Sequence, residues 1–453
     1  MHISRIDLSN FRGFKSLTVN LPGQFTVIAG DNGSGKTTVL EALAVAMGGW
    51  LAGLRVGETR HIRLQDVRLV TSGTSGQLSI AEQYPVEVLA EGALGGGGPL
   101  LRWARTLEGR DGRTTSRHAT AIRRAAESAA NAVMAGSGVT LPVLSYYGAG
   151  RLWQEPNDWS RHRPGRRRRA VAPQDGEPST GEGDAAVFAR RLSGYRYSVD
   201  PRCSDRDLMR WIRLQRLIEL DEGTESTALH AVLDAVQQCL PLQGLHYSMR
   251  HETLLARTAD GSIVPFRALS DGYRNIIALV GDIAYKCSVL NPDLTHAAIS
   301  ATPGIVLIDE LDLHLHPQWQ RKVVGDLRST FPSIQFVATT HSPFVIQSVR
   351  DGELVNLSAH EVGEYADRSI EDIAENVMGV PIPQKSERYL QMVSAAEAYL
   401  RLLRAPAASV ADRESANLRL QELSLPYSDD PAFQAVLKLE REAQRMVTEH
   451  AAR

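Results

Sequence analysis

The stretch "QFTVIAGDNGSGKTTVLEALAVAM" (Gln24–Met47) decides the fold. From Phe25 to Ala29 every residue is apolar or β-branched, which suits a strand buried on both faces. "GDNGSGKT" (Gly30–Thr37) then meets the phosphate-loop pattern GxxxxGK[ST] at each fixed position, and helix-forming residues follow. Strand, glycine loop and helix in that order aim free backbone N–H groups and the positive end of a helix dipole at an anion. Gly30, Gly33 and Gly35 let the backbone wrap phosphates, with Asn32 and Ser34 between them and Thr38 in the first helical turn. Lys36 offers a point charge to β- and γ-phosphates, and the Thr37 hydroxyl is suited to ligate Mg²⁺. The cofactors this loop calls for are ATP and Mg²⁺.

Two further apolar runs end on groups that complete such a site. "GIVLIDE" (Gly304–Glu310) is a buried strand closing on two acids. Asp309 is placed to hold Mg²⁺ through water, and Glu310 to polarise the attacking water, a role worth about 10² to 10⁴ in rate. "IQFVATTH" (Ile334–His341) ends on His341, whose imidazole would hydrogen-bond the γ-phosphate. Between them "PQWQRKVVGDLRSTF" (317–331) reads as one helix.

"FRALSDGYRNIIALVGDIA" (Phe266–Ala284) holds a Ser-Asp-Gly turn directly ahead of a long apolar helix. Ser270 suits an N-cap, Asp271-Gly272 a tight turn, and the helix end carries about half a positive charge. An ordinary capped helix is one reading. The other is a second phosphate site: one nucleotide shared by two molecules, the lysine loop from one and Ser270 and Gly272 from the other.

The chain has 453 residues, room for about three domains of ~150 residues. Its 50 basic and 52 acidic side chains leave a net charge of −2, so general polyanion binding is excluded and nucleic acid must be met by local patches. Such a patch is "SRHRPGRRRR" (Ser160–Arg169), whose Arg161–Arg169 run lies in a loop-forming stretch, 154–186. Contacts there would be phosphate-directed, with a log–log salt slope of roughly −4 to −5 for six arginines, unless the loop is simply solvated beside the acids at 175–184. Cys203, Cys239 and Cys287 are far apart, which fits reduced thiols and a cytoplasmic setting better than a disulfide or zinc framework. The N-terminus alternates in polarity and lacks a signal-peptide core, and no apolar run approaches the length of a membrane span.

Strands are expected at 2–8 and 16–21 about a turn at Arg12-Gly13, across 55–110 with a hairpin tip at Gly95–Gly98, and at 140–148. Helices are expected near 119–135 and within 205–240, without heptads for a coiled-coil arm. These signals divide the chain into an N-terminal lobe (1–150), a basic loop and helical insertion (151–250), a C-terminal lobe (251–360) and a helical extension (361–453). The extension's amphipathic helices ("RYLQMVSAAEAYLRLLRA", "ANLRLQELSL", "AFQAVLKLEREAQRM") suit packing on the head or docking of a partner protein.

The loop, "LSDGYRN", "LIDELDLHLHP" and "TTHSP", in this order, resemble the ABC-type ATPase heads of the SMC, RecF and OLD proteins. The implied fold class is α/β, a P-loop NTPase of the ABC/SMC-head type with a helical insertion and a helical C-terminal extension. "IDLSNFRGF" resembles the opening strand of these heads, which implies that Asn10 and Arg12 lie near the nucleotide. The resemblance further implies ATP held between two subunits, with "DLHLHP" (312–317) as the contact across the pair. A metal-binding role for His314 and His316 is disfavoured by that location. The signature reads "LSDGY" where transporters have LSGGQ, which argues against a transporter, and the transporter-style switch glutamine is not assignable, Gln65 being only a weak candidate. "YYGAGRLW" (146–153) and "LSGYRYSVDPR" (192–202) are similar to compact PtuA-type ATPases, which implies phage defence with an HNH-type nuclease partner.

After His341 no spaced acidic cluster follows, and "YSDDP" (427–431) reads as a turn. The expectation is an ATPase that forms homodimers or higher homo-oligomers, binds no membrane and does not itself cut nucleic acid. The competing functions are a RecF-like repair factor that binds DNA and a nucleotide-locked scaffold with little turnover.

Overall fold

The computed structural model describes residues 1–54, 59–72, 79–94, 98–151, 190–201, 205–358, 368–380, 382–405 and 409–425. The Arg161–Arg169 run, Cys203, most of the Gly95–Gly98 tip, "YSDDP" and the last amphipathic segment lie outside the described residues. The chain forms two compact units, Met1–Ile373 and Ala374–Arg453.

In the first unit, chain order begins β1 (His2–Phe11), β2 (Phe14–Asn20), β3 (Phe25–Ala29), α1 (Lys36–Leu54), β4 (Arg68–Ser72) and β5 (Ser79–Gln83). It continues β6 (Val86–Ala93), β7 (Leu101–Leu107), α2 (Thr120–Met134), β8 (Val143–Tyr147), α3 (Asp205–Glu222) and α4 (Thr227–Gln238). Next come β9 (Leu242–Ser248), β10 (Thr253–Thr258), β11 (Ile263–Pro265) and α5 (Asp271–Leu290). The chain continues with β12 (Gly304–Ile308), α6 (Val323–Thr330), β13 (Ile334–Thr339), α7 (Pro343–Gln347) and β14 (Leu354–Asn356).

The apolar runs become a parallel five-stranded sheet in the order β14-β3-β13-β12-β8. β3, β8, β12 and β13 are buried along their whole length, which is why their sequences do not alternate. Register sets the site. Ile308 lies opposite Ala338 and Tyr147, and Thr339 lies opposite Ile28, so the strands end together on one edge. Open parallel sheets bind ligands beyond that carboxyl edge.

A four-stranded antiparallel sheet, β2-β1-β6-β7, forms the other layer. β6 alternates buried and half-buried residues, the pattern of a strand with one face on a core. Buried Gln335 of β13 joins the layers: Oε1 accepts from Ile3 N–H at 2.8 Å and Nε2 donates to Ile3 O at 2.8 Å. α1 touches β1, β6 and β7 of one sheet and β8, β12 and β13 of the other. Contact on both sides explains a helix that is apolar nearly all round. By length and composition α1 alone among the described helices is long and apolar enough to cross a membrane, yet most of it is buried inside the protein.

Several boundaries differ from the sequence pattern. β1 and β2 run closer to the hairpin turn, where Asn10 and Arg12 adopt φ of 50°. The expected helix over 317–331 divides into a single turn, Pro317–Gln320, and α6. Lys322 N–H bonds Trp319 O at 3.0 Å, a tightened i→i+3 closure, and the Arg321 guanidinium lies 4.9 Å from the Phe344 ring. The 205–240 region is two helices, with Ser226 capping α4 at Leu229 N–H, 3.3 Å.

α8 (Ile370–Asn376) is short. In the second unit α9 (Glu387–Arg404) and α10 (Val410–Ser424) start on capping serines, Ser386 and Ser409. They bury Met392, Ala395, Ala396 and Leu420 against each other, flanked by Tyr389, Val393, Tyr399 and Leu423. The apolar spacing of these helices was readable in sequence.

The β12 core yields a stability test. Leu307 is fully buried in β12, an interior strand of the parallel sheet, so Leu307→Ala should cost about 2–5 kcal/mol and lower the head's unfolding midpoint in urea.

Candidate functional site

The glycine loop leaves β3 and enters α1. Gly33 and Gly35 have φ of 84° and 97°, left-handed values that a side chain would strain. At Gly35 an added Cβ would also lie 2.3 Å from Phe14 Cζ. Lys36 is buried and its Nζ donates to Gly30 O at 2.8 Å and Asp31 O at 2.9 Å. Burial holds the Lys36 pKa below the ordinary ammonium value, and the nearby carboxylates of Asp309, Asp31, Glu310 and Asp312 oppose that shift. Ser34 Oγ is buried with no hydrogen-bond partner, while Asn32 is exposed and Thr38 half-buried. An orphaned hydroxyl inside a cradle of glycines fits a phosphate oxygen.

Parallel register brings the acids to this loop. Thr37 Oγ1 donates to Asp309 Oδ2 at 3.0 Å and lies 3.2 Å from Oδ1. Thr339 Oγ1, at the end of β13, donates to Asp309 Oδ1 at 2.6 Å and accepts from Glu310 N–H at 2.8 Å. Asp309 is buried, and its N–H continues the sheet to Tyr147 O at 2.7 Å. Glu310 is half-buried with φ of 51°, a conformation that costs a non-glycine residue about 1–3 kcal/mol. One hydroxyl and one carboxylate, converging from the start of α1 and the end of β12, are hard oxygen donors of the kind Mg²⁺ takes.

His341 follows β13 and is exposed; its N–H donates to Asp312 Oδ1 at 3.2 Å, and Thr340 Oγ1 donates to the same oxygen at 2.5 Å. The 312–317 loop is thus tied to the strand that carries His341. His316 Nδ1 accepts from Gln318 N–H at 3.3 Å and caps the Pro317 turn. Among the described residues no cluster of three or more His, Cys, Asp or Glu is arranged to hold a metal.

Ser270 occupies the N-cap position of α5 but makes no capping bond, contrary to expectation; the residue is exposed. The helix start is held by the backbone, Arg274 N–H to Ser270 O at 3.0 Å, and by buried Leu269 before it. Gly272 is required by packing. A Cβ there would lie 2.7 Å from His314 O and 3.1 Å from Trp319 Cζ3. Tyr273 meets the Trp319 ring edge-on at 4.6 Å between centroids. The signature turn therefore packs on the 312–317 loop of its own chain.

The side chains of Asn10 and Arg12 are engaged with protein. Asn10 Nδ2 donates to Pro85 O at 3.1 Å. Arg12 pairs with the fully buried Asp66 at 2.9 Å, and Arg60 bridges Asp66 and Glu41. Gln65 is exposed beside Asp66, whose carbonyl accepts from Arg12 N–H at 2.7 Å. Sequence reasoning missed Asp66, Arg60 and Glu41, which share no local motif. It also missed Thr339, although a threonine before "TH" at the end of a buried strand is a signal that can be read.

The phosphate-loop motif, the Thr37–Asp309 pair, Glu310 and the helix led by Ser270, on this two-layer α/β frame, are the features of an SMC/RecF-like ATPase. An AAA domain model matches residues 5–209, and a second, described as "AAA domain, putative AbiEii toxin, Type IV TA system", matches 210–347. Within the class the chain is similar to PtuA-type ATPases. It is 25% identical to the Retron Ec83 probable ATPase of Escherichia coli, over 77% of this chain and 70% of that one. It is 47% identical to the Retron Vc95 probable ATPase of Vibrio cholerae over 21% of this chain and 18% of the relative. It is 46% identical to Septu protein PtuA of Bacillus mycoides over 21% of this chain and 13% of the relative. The last two matches thus span less than a fifth of the relatives' own length.

Thr339 should carry measurable weight. Thr339→Val leaves Glu310 N–H without its partner and removes one of the two hydroxyl donors to Asp309, so it should cost about 1–3 kcal/mol, read as a lower thermal midpoint.

Proposed function

We propose that this protein binds ATP with Mg²⁺, hydrolyses it between two copies of itself, and thereby governs a separate nuclease in phage defence from the cytoplasm. The observation that carries the hydrolytic part is the meeting of Thr37, Asp309 and Thr339 with Glu310 at one sheet edge. Backbone N–H groups from Gly33 to Lys36 and the orphaned Ser34 hydroxyl would cradle phosphate oxygens. Lys36 Nζ would exchange its two carbonyl partners for phosphate oxygens, a stronger, charge-assisted pairing. Thr37 and Asp309 would hold Mg²⁺, which when bound neutralises phosphate charge. Glu310 would accept a proton from the attacking water, and His341 would hydrogen-bond the γ-phosphate.

Exposed Ser270 and the N-terminus of α5 suit a phosphate presented by a second copy. Asn10 and Arg12 would contribute from the β1–β2 hairpin, Arg12 while held by Asp66. The defence role is supported by the likeness to the retron and Septu proteins, and an HNH-type nuclease encoded separately fits it. Nucleic acid contact is proposed through the Arg161–Arg169 run.

The test is ATP binding, phosphate release and mass photometry on the full chain. Lys36→Ala should abolish binding. Glu310→Gln should bind ATP, lose about 10² to 10⁴ in turnover and accumulate pairs. Ser270→Arg should keep binding and lose ATP-driven pairing. Unchanged turnover in Glu310→Gln would overturn the catalytic assignment, and phage protection that survives it would favour a nucleotide-locked scaffold.

A further inference from the structure

Arg151 closes the turn that leaves β8. Gly148 N–H donates to Pro201 O at 2.6 Å, and a Cβ at Gly148 would lie 2.7 Å from Pro201 Cβ, so this turn is wedged against the "SVDP" segment. Arg151 N–H returns to Gly148 O at 3.2 Å, which turns the guanidinium inward to 3% exposure. There Nη1 donates to Asp309 O at 2.7 Å and to Gly148 O at 3.2 Å, and Nη2 donates to Glu310 O at 3.1 Å. Nε donates to Asn275 Oδ1 at 2.7 Å. Asn275, 1% exposed in α5, passes the chain of bonds onward, Nδ2 to Leu313 O at 2.8 Å. A planar fork of fixed N–H donors binds several carbonyls at once, which the single point charge of lysine does not reproduce.

The geometry points to Arg151 and Asn275 as positioning residues that join the signature helix to Asp309 and Glu310 of the same chain. This deepens the ATPase reading and rests on it. Glu310 holds a left-handed backbone that only its surroundings can impose, and Arg151 grips its carbonyl. Asn275 stands one turn beyond Gly272, on the helix whose start would meet the second copy's phosphate. Load on that helix reaches Asp309 and Glu310 through the Arg151 fork, and reaches the 312–317 loop through Asn275. Engagement of one nucleotide by the signature thus sets the water-facing acid at the other, so the two hydrolysis events are coupled.

The experiment measures steady-state ATP hydrolysis by the full chain, with pairing followed by mass photometry. Arg151→Gln removes the fork. Asn275→Asp keeps an acceptor for Nε and lacks the donor to Leu313. Each should lower kcat by about 10- to 100-fold, the scale of an ångström's misplacement, with KM within about threefold. The Hill coefficient for ATP should fall toward one, and the double variant should be no slower than the slower single one, as for residues acting as a unit. Full turnover by either variant, or losses that multiply in the double variant, would overturn the inference. If Arg151→Gln does not fold, Asn275→Asp decides alone. Wild-type protein that never pairs on ATP defeats the shared-nucleotide reading beneath it; wild-type pairing beside a fully active variant defeats the coupling alone.

Discussion

The site depends on the hydrogen bonds that lock Asp309 between Thr37 and Thr339. They join the phosphate loop, β12 and β13, three segments far apart in the chain, at one carboxylate. Burying that carboxylate is costly unless it is bonded, and the two hydroxyls meet the cost. The same Thr339 hydroxyl receives Glu310 N–H, so the strained acid is held by the group that fixes its neighbour. Stability of the edge and readiness for chemistry are here a single constraint.

Around this point the two main sheets of the first unit form two layers with α1 between them. Because α1 packs on both sheets, the antiparallel layer, the parallel layer and the phosphate loop cannot shift independently. Gln335 repeats the principle with polar atoms, joining β13 to β1 at its other end. The Arg12–Asp66–Arg60–Glu41 network ties the β1–β2 hairpin to α1 just beyond the loop. Rigid support of this kind is what a site needs when misplacement by an ångström is expensive.

Legibility varied with how local each feature is. Gly33, Gly35, Lys36 and Thr37 were readable because a phosphate loop has fixed spacing within a single turn. Asp309 and Glu310 were readable from a strand that ends on acids. The break at Arg321–Lys322 was not, because periodicity runs through it and only packing beside Phe344 and a tightened closure interrupt it. Ser270 misled for the opposite reason: its type and place are those of a cap, yet the helix start is secured by backbone and by Leu269. Gly272 looked like turn chemistry, and its structural reason is the close approach of His314 O.

By itself the sequence determined the class of fold, the strand-loop-helix that carries the phosphate-loop motif and the order of the motifs, since each is a run of neighbouring residues with its own periodicity or spacing. Only the tertiary structure decided that the strands lie in the order β14-β3-β13-β12-β8, that Thr339 serves both acids, and that Arg151 meets Asn275. Those choices rest on register and on hydrogen bonds between residues 30 to 272 positions apart, and no local pattern encodes a partner at that distance.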